Sequence, residues 1–240
     1  MSLSTEVLLP LAVLAFYLFD SSMLLFSNEV MFLNTGNGWR ATTGSGFQFR
    51  GRYVYLPNAL TPHHGAFRAH WTWTPSATTT EHIPGLQHFV GALASLRKGC
   101  VLLWALLLVA LPFLLAVYPH PVALLALLGS VYATVAAIIL SAYRYRGALQ
   151  LTTKDIAALA LEGFACPPFA INTVRKVCLR REIKEGAVAF AARLLRPEDF
   201  AKFRVAIGQR VSASIDFEDD GSPKRTALIA LNDHLRDWKS

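Results

Sequence analysis

Three long apolar runs dominate the pattern of the chain, at 7–26, 101–118 and 122–142. A bilayer-spanning helix needs roughly 20 predominantly apolar residues. The second and third runs contain no charged residue and read as a transmembrane helical hairpin. Pro119 and Pro121 in the turn between them forbid helix continuation. The first run is interrupted at Asp20-Ser21-Ser22, so its span is either 7–26 or 3–19. Its only early charge is Glu6 and no small-residue cleavage site follows, so it reads as a retained anchor rather than a leader. Pro112 is expected to kink the second span.

Between the first two runs the period changes to two. Phe47, Phe49, Tyr53 and Tyr55 alternate with Gln48, Arg50 and Arg52, and Phe67, Ala69, Trp71 and Trp73 alternate with Arg68, His70 and Thr72. Such alternation predicts half-buried strands. Weaker strands fall at 30–33 and 39–43, with turns at 35–38 and 44–46. The expectation is one small antiparallel element of three to four strands. Its aromatic face (Phe47, Phe49, Tyr53, Tyr55, Trp71, Trp73) must pack on something. Leu86, Phe89, Val90, Leu93 and Leu96 then recur at helical spacing, predicting an interfacial amphipathic helix that leads into the second span.

After the hairpin the pattern is helical. Thr152 or Thr153 caps a helix over 154–164, Pro167 and Pro168 end it and open a second to 181, and further helices follow at 184–195, from Pro197, and over 225–238. The fold class is therefore an α+β membrane protein. Its expected organisation is an anchor helix (1–26), a β-element (27–76), a linker with the interfacial helix (77–100), the hairpin (101–146) and a helical domain (147–240).

Composition agrees with a membrane class: 53% of residues are hydrophobic and only 16% charged, against roughly 25% charged in an average soluble domain. Charge then orients the spans. No Lys or Arg precedes the first run or lies in the 118–121 turn. Arg40, Arg50, Arg52, Arg68, Arg97 and Lys98 lie between spans one and two, and Arg144 and Arg146 follow span three. The positive-inside rule puts the N-terminus outside and the C-terminal domain in the cytoplasm of a multi-pass cell-membrane protein. The net charge of +7 is spread along the chain, without the dense run of a nucleic-acid arm.

Candidate chemistry is sparse. Among seven histidines, His63, His64 and His70 are the candidate metal ligands, although their spacing matches no zinc signature. No cofactor is expected. Asp20, late in the first run and near its expected cytoplasmic end, is an interfacial or intramembrane acid; buried in the membrane, it would pair with Tyr132, Ser130 or a subunit partner. Arg175, Lys176, Arg180 and Arg181 form a basic cluster read as a solvated or lipid-facing surface. Gly129, Ala133 and Ala137 form a small-residue stripe for helix packing, against span two or a neighbouring subunit. Cys100, Cys166 and Cys178 fit reduced thiols, Cys100 as a small buried hydrophobe. The phrases LPNALTPHH at 56–64 and CPPFAIN at 166–172 have specialised, shape-fixing composition.

Three function classes follow as expectations. The first is a non-enzymatic membrane scaffold, assembly factor or accessory subunit, with membrane lipids and a protein partner or second copy as its contacts. The second is a membrane enzyme acting on a lipid or lipid-linked substrate through the His63/His64 loop. The third is a small transporter or channel component built around Asp20.

Overall fold

The computed structural model describes residues 5–71 and 80–237. Trp73 and Trp238 lie outside the described residues. The chain divides into two compact units that interleave in sequence. Unit 1 comprises 1–22, 57–65 and 83–180; unit 2 comprises 23–56, 66–82 and 181–240. The 147–240 stretch, expected as one helical domain, is thus divided after Arg180.

Unit 1 is helical. It contains α1 (Thr5–Ser21), α2 (Ile83–Ala92), α3 (Ala94–Ala105), α4 (Leu111–Val117), α5 (Pro121–Arg144), α6 (Thr153–Ala165), α7 (Pro167–Ala170) and α8 (Thr173–Arg180). Among the described residues two helices are long and apolar enough to cross a membrane: the continuous stretch Ala94–Val117 and Pro121–Arg144, 24 residues each. At 1.5 Å per residue each is about 36 Å long. The first run is shorter as a helix. α1 has 17 residues, about 25 Å, and ends where the Ser21 and Ser22 hydroxyls donate back to the carbonyls of Leu18 and Phe19. Residues 23–25, expected in that run, are a strand instead.

Between α3 and α4 the backbone forms a π turn at Leu106–Ala110, where the Leu111 N–H donates to the Leu106 carbonyl. This takes up the register lost at Pro112, which has no N–H to donate. The hairpin closes through a glycine outside the expected stripe. A Cβ on Gly99 would lie 2.5 Å from Ile138 Cγ1, so α3 and α5 touch there because Gly99 has none. Gly129, Ala133 and Ala137 instead face outward, while Leu127, Val131, Val135 and Ile138 form the packed face of α5.

Unit 2 carries β1 (Met23–Leu25), β2 (Glu29–Asn34), β3 (Trp39–Thr42), β4 (Gln48–Phe49), β5 (Arg52–Tyr55) and β6 (Gly65–His70). It also carries α9 (Ala187–Leu194), α10 (Pro197–Asp216) and α11 (Pro223–Asp237). The strands form two three-stranded sheets, β1-β5-β4 and β3-β2-β6, rather than one element of three or four. Phe32 of β2 packs edge-on against Phe190 at 4.9 Å and near Phe203 at 5.9 Å, anchoring the core on α9 and α10. The buried Glu29 carboxylate is satisfied by Arg68, His70 and the Phe26 N–H.

The expected aromatic face does not exist as one surface. Residues 47–55 fold back on themselves: Arg50 and Gly51 both have positive φ (51° and 73°), making a two-residue hairpin. Register therefore pairs Phe49 with Arg52 and Gln48 with Tyr53, so Phe49 and Tyr53 lie on opposite faces. Phe47 and Phe49 are exposed, whereas Tyr55 and Trp71 are buried.

Candidate functional site

The two phrases singled out by composition meet in unit 1. In the 57–64 loop, the Asn58 side chain accepts from the Leu60 N–H, and the Thr61 and His64 N–H groups donate to the carbonyls of Asn58 and Thr61. These local turns turn the loop carbonyls toward the helices. The Ala59 carbonyl accepts from both the Tyr17 hydroxyl and the Trp104 indole, each at 3.0 Å.

Arg175 of α8 organises the rest. It is only 3% exposed. Its Nη2 donates to the carbonyls of Asn58 and Thr61, both at 2.9 Å. Its Nη1 donates to Asn172 Oδ1 at 2.8 Å and to the Tyr17 hydroxyl at 3.4 Å. A buried cation is tolerated only when its donors are satisfied, and here neutral oxygens do that. Asn172, just after α7, faces the other way with its amide nitrogen, donating to the Tyr17 carbonyl and, at 2.9 Å, to Asp20 Oδ2.

Asp20 is thereby placed, with partners other than the expected ones. Its second oxygen pairs with Lys176 Nζ at 2.9 Å, and Lys176 also reaches Glu162 at 2.7 Å. Tyr132 stacks on Phe164 and the Ser130 hydroxyl donates to the Ala126 carbonyl. A cavity of about 480 Å³ opens beside this row, lined by Asp20, Glu162, Phe169, Lys176, Leu179 and Arg180.

The expected basic cluster is not a common solvated face. Arg175 is buried, Lys176 bridges two carboxylates, Arg180 pairs with Asp155, and Arg181, in unit 2, pairs with Glu81 at 2.6 Å. The helical period separates these side chains: neutral oxygens hold Arg175, and acids pair with the other three. Asp155 also closes a capping box with Thr152 at the start of α6, and those hydrogen bonds hold its carboxyl below the usual aspartate range.

The histidines do not converge. His63 and His64 lie edge to face at 4.6 Å in unit 1. His70 is in unit 2, on β6, where it meets Glu29 at 3.2 Å and Glu182 at 3.7 Å. Among the described residues no group of three or more His, Cys, Asp or Glu side chains is placed to hold a metal ion. The His63 Nδ1 is buried with no hydrogen-bond partner among the described residues. Burial, with the charges of Arg97 and Arg175 nearby, lowers its pKa from the ordinary histidine value. No disulfide joins Cys100, Cys166 or Cys178, and the Cys100 Sγ faces the Ala170 carbonyl at 3.7 Å.

Tyr17, Trp104, Glu162 and Asn172 belong to the network without having been expected there. Only Asn172 had a signal, as the end of the 166–172 phrase. The others sit in apolar or helical patterns that say nothing about partners 14 to 158 positions away. Compared with protein-family models, curated proteins and solved structures, the chain matches none.

Proposed function

We propose that the chain is a multi-pass integral protein of the cell membrane, with the N-terminus outside and the C-terminal domain in the cytoplasm. Its role in this reading is non-enzymatic: a scaffold, assembly factor or accessory subunit that seats another transmembrane helix. α1 is the third span. It exposes Leu8, Leu9, Leu11 and Phe16 as the hairpin exposes Val109, Phe113, Leu125 and Leu140, and such surfaces suit an apolar solvent. The distribution of Lys and Arg supports the orientation.

One observation carries the scaffold reading. The small-residue ridge Gly129, Ala133 and Ala137 points away from the rest of its own unit, and nothing approaches within 4 Å of a Cβ built on Gly129. Ridges of this kind let helices approach closely in lipid. The polar groups around Arg175 support it from the other side, since they hold chain to chain rather than face a reacting centre.

The experiment compares wild type and Ala133→Ile after mild detergent extraction, by native mass spectrometry and light scattering. The expected result is a defined complex, with a second copy or a stoichiometric partner, that Ala133→Ile reduces to the lone chain without lowering its melting temperature. A wild type that is always monomeric and alone, or that turns over a substrate, would contradict the reading.

The second reading is an enzyme acting on a lipid-linked substrate through the His63/His64 loop. It is favoured by the unpartnered His63 Nδ1 beside two arginines. His63→Gln abolishing a measured turnover would support it.

A further inference from the structure

Unit 2 contains a second cavity, of about 450 Å³, that the network around Arg175 does not involve. Its walls are the rings of Tyr53, Trp71 and Phe217, with Asn28, Gln48 and Lys224 among the polar groups at its edge. That volume lies within the range of small-molecule sites, which combine apolar walls with a few polar groups.

Trp71 lines this cavity and Arg210, outside the lining, lies against the lining Tyr53; each carries a buried donor without an acceptor among the described residues. Trp71 is 3% exposed, and its backbone N–H is fixed by the Asn28 carbonyl at 2.9 Å. The residue lines the cavity, and its indole Nε1 is buried without a partner among the described residues. Arg210 is 6% exposed. Its guanidinium lies 3.0 Å from the centre of the Tyr53 ring, and one nitrogen donates to the Thr43 carbonyl while Nη1 has no partner among the described residues. Arg210 precedes the cavity-lining Ala213 and Ser214 by three and four positions, so the three share one face of α10. The acid at the rim, Glu218, is already paired with Lys224.

Native structures seldom leave buried donors unpaired, because each such group forfeits its hydration without compensation. The orphan on a lining residue, Trp71 Nε1, is a donor, so a partner in the cavity brings an acceptor. A buried guanidinium with no carboxylate beside it adds a positive field, which selects an anion. The aromatic walls ask for a carbon body next to the charge. We propose that this cavity binds an organic phosphate ester, with a phosphate oxygen accepting from Trp71 Nε1, the Arg210 charge favouring the anion, and the organic part lying against Tyr53 and Phe217. Phosphate suits donors arriving from a strand end and a helix, since its acceptor oxygens diverge.

Phenyl phosphate is the probe, titrated calorimetrically into the full-length protein in detergent, with inorganic phosphate as comparison. Saturable one-site binding is expected, tighter for phenyl phosphate. Trp71→Phe keeps the ring and deletes the N–H, and should weaken binding about tenfold. Phe217 is 90% exposed, so Phe217→Ala leaves the fold intact. It should weaken phenyl phosphate and leave inorganic phosphate unchanged. Absence of saturable binding, equal affinity for the two probes, or full affinity in both variants would overturn the proposal. Competition by phosphatidate in the same micelles would sustain the site with a lipid as its source, and failure to compete would sustain it with a soluble ester.

Discussion

Arg175 Nη2 donates to the carbonyl oxygen of Asn58 at 2.9 Å, across 117 positions of the chain. The same guanidinium holds Thr61, Asn172 and Tyr17. Hydrogen bonds involving a charged group contribute roughly 1.5–3 kcal/mol each. Arg175→Met removes the charge with its bonds, and should destabilise the purified protein by about 3 kcal/mol, read as a lowered melting temperature. Arg175→Lys should recover little, because an ammonium cannot reproduce the planar fork that reaches two carbonyls at once.

The row Asp20–Lys176–Glu162 is asymmetric. Lys176 touches both carboxylates, while Asp20 also has the Asn172 amide. Asp20→Asn leaves Lys176 paired with Glu162 and should cost about 1 kcal/mol. Lys176→Met strips the sheltered Asp20 carboxylate of its only cation among the described residues and should cost more, about 3 kcal/mol. Thermal melts of both variants test the order. Asp20→Asn proving the more damaging would point to a role for the acid beyond this row.

Gly99 is the contact that closes the hairpin, and Ile138 is what it meets. Gly99→Ala overpacks that point and should destabilise by about 1–3 kcal/mol. Ile138→Ala in the same chain removes the Cγ1 that the new methyl would meet, and should recover part of the loss. A double-mutant cycle with no coupling between the two positions would contradict the contact.

His63 makes stability depend on pH. Its folded pKa is lowered by burial first, then by Arg97 and Arg175. Below the ordinary value of 6.5 the unfolded chain therefore binds more protons than the folded one, and stability falls as pH drops through that window. Melting temperature measured from pH 8 down to pH 5 should decline, and His63→Gln should flatten the decline. Arg175→Met should flatten it partly, by removing one of the nearby charges.

What the sequence discloses depends on how far each interaction reaches. The Thr152–Asp155 capping box lies within three positions, and the helix it starts is where the pattern puts it. The two long apolar helices and their prolines are legible for the same reason: length, apolarity and a missing N–H are local properties. Residues 47–55 mislead because alternation continues unbroken through Arg50 and Gly51, while the positive φ at Arg50 carries no sequence mark. Arg175 and Lys176 look like a basic surface because their acceptors, Asn58 and Asp20, stand more than 100 positions earlier. Ala133 is recognisable as part of a ridge, but only the structure shows that the ridge faces outward.

The most direct test of the membrane account is topology in intact cells. A cysteine at His120, in the turn between the two 24-residue helices, and another at Ser222, before α11, are labelled with a membrane-impermeant maleimide before and after permeabilisation. The account predicts a protein retained by the membrane through alkaline carbonate washing, with His120→Cys labelled in intact cells and Ser222→Cys labelled only once the membrane is opened. Release of the chain by carbonate, or the reverse labelling of the two positions, would contradict it.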